Sequence, residues 1–236
     1  MKRSLGRVVT HIPARAGSKR VPSKNLRLLA GRPMISYAIE TAKSAVELGE
    51  VLVNTDCPKI MELARSMGVG VFERDPSLAS DTASGDDFTM DIISKLKPDT
   101  LVMISPVCPL VDAADVSRAI DAYLNSDADT LISCSNTQMQ VFCGDRPVNI
   151  RLDEALAPSQ NNEVVSICNW AITIWDARVF TGNYESYRGG YLGTKRLLFP
   201  IHPLHSVKVS YEEDFQLAER LVLAGRVAAA NQVHGQ

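Results

Sequence analysis

Four cationic side chains, Arg15, Lys19, Arg20 and Lys24, fall within ten residues, interleaved with Gly17, Ser18, Pro22 and Ser23 and followed by Asn25. Guanidinium groups grip phosphate oxygens two at a time, and lysine ammoniums act as mobile point charges. Gly17 lets backbone approach a ligand closely, while Ser18 and Asn25 add neutral hydrogen-bonding groups. Such a set neutralises a triphosphate and stabilises the charge that gathers on a departing pyrophosphate. The order of residues matches neither GxxxxGK[ST] nor GxGxxG, so the P-loop and the dinucleotide-binding fingerprint are excluded at the motif level. The plain alternative is a solvated basic loop.

The charge around this loop is lopsided. The first thirty-nine residues hold nine Lys or Arg and no acidic residue, yet the whole chain carries a formal net charge of −2. The remainder of the chain therefore has 16 basic against 27 acidic residues. A mild overall charge argues against general nucleic-acid binding, which needs a basic footprint across a face. No apolar run reaches the eighteen or so residues of a membrane span, and the start of the chain lacks the pattern of a secretory signal. Five cysteines at wide spacings, without CxxC or a Cys/His cluster, suggest neither a disulfide framework nor a zinc site. Reduced, mostly buried thiols in a cytoplasmic protein are the expectation.

The elements that must position the loop alternate. Residues 8–12 read as a buried strand running into Pro13, and residues 33–45 as a helix with Pro33 in its first turn. Strands are expected at 51–53, 70–72, 101–104 and 130–133, with helices at 58–67, 86–96 and 112–124 between them. This pattern implies an open, mainly parallel sheet with helices on both faces, and ligands at the carboxyl edge of its strands. The alternation stops near Asn136. Residues 136–168 are polar and turn-rich, an excursion that reads as a small β element or a dimerisation arm. Strands are expected again at 171–175, 197–201 and 207–209, then an amphipathic helix over 212–224. With 45% hydrophobic residues and no linker, residues 1–236 read as one domain.

The stretch Arg15-Ala16-Gly17-Ser18-Lys19-Arg20-Val21-Pro22-Ser23-Lys24-Asn25, followed by Gly31-Arg32-Pro33-Met34-Ile35, resembles the sugar-acid (acylneuraminate) cytidylyltransferases, the CMP-sugar synthetases. The likeness continues through Val53-Asn54-Thr55-Asp56 and Arg74 to Asp81, and returns at Pro109-Leu110, Gln160, Asn169 and residues 211–215. It is dense in the first half and thin in the second. The resemblance implies a Rossmann-like, GT-A-like nucleotidyltransferase sandwich and transfer of CMP from CTP to a sialic acid-like sugar acid. It places Ala14, Arg15, Gly17, Ser18, Lys19, Lys24 and Asn25 around the nucleotide, with Arg15 and Lys24 holding the phosphates as catalytic groups. Arg74 and Ser84 would lie near base and ribose, and Gln160 and Asn169 near the acceptor. It further implies Mg2+ as cofactor and a homodimer in which residues 136–168 meet the partner.

Several residues depart from the family pattern. Its Mg2+-binding Asp-x-Asp pair falls on Lys208 and Ser210, and an ammonium cannot ligate Mg2+. The family's Gln-containing Pro-Leu segment is Ser105-Pro106-Val107-Cys108-Pro109-Leu110, the Arg before its Gln is Ser159, and Asn-Gly-Ala has become Asn169-Trp170-Ala171. Two alternatives therefore stand beside the cytidylyltransferase reading: a non-catalytic nucleotide- or sugar-binding relative, or transfer with another acceptor or nucleoside triphosphate. Glu212, Glu213 and Asp214 read as charges compensating a helix N-terminus. Trp170 and Trp175, five apart, belong on opposite faces of a regular strand. Tyr184, Tyr187, Arg188 and Tyr191 read as a loop closing over the acceptor or over the sheet.

Overall fold

The opening β-branched run forms β1 (Val8–Pro13), with Val9 to Ile12 fully inside. In the computed structural model, which describes residues 4–234, β1 lies within a seven-stranded sheet. The chain continues through a two-stranded ribbon, β2 (Leu28–Leu29) and β3 (Arg32–Pro33), into α1 (Ile35–Ser44). Next come β4 (Glu50–Thr55), α2 (Pro58–Ser66), β5 (Gly70–Glu73), α3 (Gly85–Leu96), β6 (Thr100–Ile104) and α4 (Ala113–Leu124). The second half adds β7 (Thr130–Thr137), a hairpin of β8 (Phe142–Cys143) and β9 (Arg146–Pro147), and the long β10 (Val165–Asp176). Helix α5 (Ala177–Tyr187), β11 (Arg196–Pro200) and helix α6 (Glu212–His234) complete it.

The strand order is β11-β7-β10-β6-β1-β4-β5. All pairings are parallel except those of β10, which runs against both β6 and β7. The reason is the connection: β7 reaches β10 through an excursion, not through a crossover helix, so the chain returns antiparallel. Alternate residues of each strand then feed two cores. Ile12, Val53, Val102, Ile104 and Ile174 pack with Ile35, Ile39, Ile60, Val116 and Ile120 of α1, α2 and α4. Val9, Leu52, Leu101, Met103 and Trp175 pack with Ile92, Ile93 and Phe180 of α3 and α5 on the opposite face. This is the expected three-layer arrangement.

Local signals start two of the helices. Ser84 and Asp87 cap α3 reciprocally, and Asp112 and Asp115 do the same for α4. A third, smaller core joins the two ends of the chain: Val21, Leu29 and Met34 pack against Val209, Phe215 and Ala218. It fastens the cationic loop to α6.

Three expectations change. Residues 177–187 are helical despite Gly182, because Asp176 accepts hydrogen bonds from the Arg178 and Val179 amides and Phe180 is buried against Trp175. Tyr184 and Tyr187 thus lie on a helix, and only the turn after Arg188 carries Tyr191 onward. Residues 207–209 form no strand; the Val209 amide donates to the Val107 carbonyl, and the segment runs as a connector into α6. Trp170 and Trp175 do not part company. The β10 register shifts between Cys168 and Thr173, Trp170 has φ +60°, and both indoles meet the Tyr191 ring, at 5.1 and 4.8 Å between centroids.

The excursion is shorter than the sequence suggests. Residues 165–168 of β10 pair with 134–137 of β7, so 138–164 alone leave the sheet. Buried Asn149 ties that segment together: its Oδ1 accepts from the Val141 amide, and its Nδ2 donates to the Met139 and Glu163 carbonyls. Met139, Phe142, Val148, Leu152, Leu156 and Val164 remain exposed along it.

Candidate active site

The carboxyl ends of β1, β4, β5 and β6, with the reversed start of β10, meet at one edge of the sheet. A cleft of about 780 Å³ opens there. Pro13, Arg15, Gly17, Ser18, Lys19, Arg20, Lys24 and Asn25 line it from the first loop, and Arg74 from beyond β5. Gly85, Asp86 and Phe88 reach it from α3, and Met103, Ser105, Pro106 and Val107 from the end of β6. Trp170, Tyr191, Leu192 and Lys208 close the far side.

The loop after β1 is held at both flanks. The Ala14 amide donates to the Asn54 carbonyl, and the Ala16 amide to Asp56 Oδ1, each at 2.9 Å. Buried Val21 anchors its middle in the core beside α6, and Lys24 Nζ donates to the Val209 carbonyl at 2.8 Å. Asn25 donates through Nδ2 to the Arg15 carbonyl, while its buried Oδ1 has no protein partner. The residue lines the cleft, while that oxygen itself is shielded from solvent. A Cβ at Gly17 would meet nothing within 4 Å, so this glycine leaves the wall open. Gly85 has the tighter role, since a Cβ there would come within 3.1 Å of the Tyr191 ring.

Arg15 and Lys19 share Asp81, at 3.0 and 2.6 Å, and Arg15 also donates to the Ser80 carbonyl. Lys19 foremost, with Arg15, holds the Asp81 carboxyl below the usual carboxylate range. Lys24 is different. Burial, followed by the nearby charges of Arg20 and Lys208, lowers its affinity for a proton. Arg74 is buried, donating to Asn54 Oδ1 and to the Asn54 carbonyl and stacking on Phe88 with 4.4 Å to the ring centroid. Burial brings it down to about 10, so it keeps its charge at neutral pH. Beside it, His11 is fully buried with neither ring nitrogen bonded, and burial pulls it down to about 3. It is a neutral core residue, without access to the cleft.

Seven residues expected at the nucleotide, Arg15, Gly17, Ser18, Lys19, Lys24, Asn25 and Arg74, therefore converge on one cavity. Ala14 is buried just behind the wall. Ser84 is not among the lining residues; its hydroxyl donates to Asp87 and caps α3, leaving Gly85 and Asp86 to face the cleft. Gln160 is exposed on the excursion, where its carbonyl accepts from Gln138 Nε2. Asn169 is buried and committed to the fold: its Oδ1 accepts from the Ser133 hydroxyl and the Ala171 amide, and its Nδ2 donates to the Ser206 hydroxyl. It fixes the β10 kink that turns neighbouring Trp170 toward the cleft. Phe88, Met103 and Leu192 also line the cavity, and no local motif marks them.

Oxygen donors for a divalent cation are sparse here. Among the described residues Asp86 is the one carboxylate lining the cleft, and its Oδ1 accepts from the Gly190 and Tyr191 amides at 2.6 and 2.8 Å. Glu212 pairs with both Arg27 Nη atoms, and Asp214 Oδ2 accepts from the Ser210 and Tyr211 amides. Elsewhere in the fold a different group, Asp112, Asp115 and His205, brings three ligand atoms within 4.8 Å of one another and could hold a metal ion. Those atoms are already engaged: Asp115 is buried against Arg118 and lies 2.5 Å from His205 Nδ1, and both acids cap α4.

A mainly parallel seven-stranded sheet, covered on both faces and cationic at its carboxyl edge, defines a Rossmann-like α/β nucleotidyltransferase fold. Within that class, the chain belongs to the cytidylyltransferase family, whose sequence profile matches residues 9–171. It is similar to the N-acylneuraminate cytidylyltransferase of Streptococcus agalactiae, with 32% identity over 133 residues, 54% of this chain and 32% of that one. To the CMP-N,N'-diacetyllegionaminic acid synthase of Legionella pneumophila it is 33% identical over 123 residues, 50% of this chain and 53% of the other. The matched regions thus span about a third to a half of these curated relatives. Among solved structures, CMP:2-keto-3-deoxy-manno-octonic acid synthetase complexed with CTP aligns over 93% of this chain and 99% of its own. The TM-score is 0.67 at 19% identity, a likeness of fold. No helix among the described residues is long and apolar enough to cross a membrane.

Proposed function

We propose that this chain is a cytidylyltransferase that joins CMP from CTP to a sugar acid and releases pyrophosphate. The observation that carries the reading is the convergence of Arg15, Lys19, Arg20, Lys24 and Arg74 on one cleft at the carboxyl edge of the sheet, in a chain whose family profile, over residues 9–171, takes in all five. Arg15 and Lys24 would neutralise the triphosphate, and Asn25 would contact the nucleotide. A hydroxyl of the acceptor attacks the α-phosphorus in line and loses its proton to water, the bond to the bridging oxygen breaks, and pyrophosphate leaves with its electron pair. Positioning and fixed positive charge supply the rate, with no covalent protein intermediate. Phe88, Trp170 and Tyr191 offer the far wall to the acceptor.

The Mg2+ that the family resemblance implies does not fit the residues present. Lys208 and Ser210 stand where the resemblance puts its ligands, and of the acids that follow, Glu212 is held by Arg27 and Asp214 Oδ2 by two amides. A single unit over residues 1–236, a homodimer through the exposed apolar side chains of the excursion, and a cytoplasmic setting for five free cysteines complete the reading.

A pyrophosphate-release assay with each of the four nucleoside triphosphates and a panel of 2-keto sugar acids tests it. Release is expected with CTP and a sugar acid together. Tight CTP binding without release from any acceptor supports the non-catalytic alternative, and release with GTP or UTP alone overturns the choice of nucleotide.

A further inference from the structure

Among the described residues, six cationic side chains line the cleft against one carboxylate, and three of the six gather at one end. Lys24 is pinned to the Val209 carbonyl, one residue beyond Lys208, and the Val209 amide is itself fixed to the Val107 carbonyl. Arg20 lies over the Tyr211 ring, 5.0 Å from its centroid, on the same connector. Neither Glu212 nor Asp214 turns into the cleft; each is engaged by Arg27 or by backbone amides. Arg20 and Lys208 add to burial in making a proton on Lys24 costly, as expected of like charges held close together. A divalent cation entering here would meet three positive charges and, among the described residues lining the cleft, Asp86 as the single carboxylate, whereas a polyanion would relieve their repulsion.

We propose that Lys208, together with Lys24 and Arg20, forms an ammonium–guanidinium clamp on the β- and γ-phosphates of the nucleotide, so that the triphosphate binds at full strength without a divalent metal ion. The proposal rests on the nucleotide reading of the cleft and adds a residue, Lys208, and a metal-independence to it.

Calorimetric titration of the full chain with CTP, CMP and inorganic pyrophosphate, each in excess EDTA and again in Mg2+, tests the clamp. The wild-type Kd for CTP is expected to agree within about threefold between the two buffers. Lys208→Ala should weaken CTP and pyrophosphate by roughly tenfold or more in EDTA, the loss of a charge-assisted hydrogen bond, and leave CMP unchanged. Lys208→Arg should restore CTP binding, and Lys208→Asp should make it depend on Mg2+. CTP binding that needs Mg2+ in the wild type, or a Lys208→Ala chain that binds CTP as tightly as wild type, overturns the clamp alone. An equal loss for CMP marks Lys208 as structural and also overturns it. If neither CTP nor pyrophosphate binds in either buffer, the nucleotide reading falls with it.

Discussion

One wall of the cleft comes from a single stretch of chain, Pro13 to Asn25, which brings Arg15, Lys19, Arg20 and Lys24 into it from one loop. The opposite wall is assembled from α3, β6, β10, the turn after α5 and the connector before α6, giving Phe88, Met103, Trp170, Tyr191 and Lys208 in turn. The first wall is polar, charged and anchored by hydrogen bonds to β4. The second is largely aromatic and continuous with the core, since Trp170 and Tyr191 pack against the cluster that holds Trp175 and Phe180. A charged wall tolerates substitution in the fold but not in chemistry, because its side chains reach into the cavity. Behind the aromatic wall, at Trp175, substitution should cost the fold, and on its cleft face, at Trp170, it should cost the chemistry.

The largest expected effect is on the aromatic side. Trp175→Ala should destabilise the protein by about 3–5 kcal/mol, since the indole is fully buried and donates to the Tyr191 carbonyl. Urea denaturation measures this. Trp170→Ala, at the rim, should leave the midpoint nearly in place and raise the KM of the acceptor while sparing that of CTP. Equal stability losses for the two tryptophans would erase the distinction between core and wall.

On the charged side, Arg15→Ala should lower kcat/KM by roughly 10²- to 10³-fold in pyrophosphate release, the usual cost of removing one donor to developing charge. The denaturation midpoint should hardly move. A large stability loss with intact turnover would invert the comparison.

His11, buried within β1, provides a test by pH. Its folded pKa, near 3, is below the ordinary 6.5, so between these values the unfolded chain binds a proton that the folded chain refuses. Stability from this group is therefore complete above about pH 6.5 and falls as pH drops toward 3. In that window His11→Leu should flatten the stability profile by about 1.4 kcal/mol per pH unit. Parallel profiles for the two proteins would place the titration elsewhere.

The smallest effect belongs to Asp81, which holds Arg15 and Lys19 at the exposed lip. Asp81→Asn frees both cations for the ligand. It should tighten CTP by no more than about fivefold, as exposed ion pairs are weak, and the gain should fade in high salt.

Much of the charged wall was legible because its information is local. A strand ending at Pro13, then cations and small residues in order, needs no distant partner to be recognised. The capping pairs Ser84–Asp87 and Asp112–Asp115 are equally local and mark where α3 and α4 begin. Helix α5 was not legible: Tyr184, Tyr187 and Arg188 read as loop, and burial of Phe180 holds the segment helical. Alternation at 207–209 imitated a strand, yet the Val209 amide finds its partner in the Val107 carbonyl, outside any strand ladder. The family resemblance places Asn169 near the acceptor, and only the fold shows its hydrogen bonds to Ser133, Ala171 and Ser206.

The sequence by itself determined the layered α/β class, the carboxyl-edge position of the cationic loop and the phosphate-seeking character of that loop, since strand and helix periods and charge order are properties of contiguous residues. The tertiary structure alone decided that β10 runs backwards, that its kink turns Trp170 to the same side as Trp175, and that Lys208 stands beside Lys24 from the far end of the chain. Those outcomes depend on packing between segments distant in the chain, where burial and hydrogen-bond satisfaction outweigh local preference.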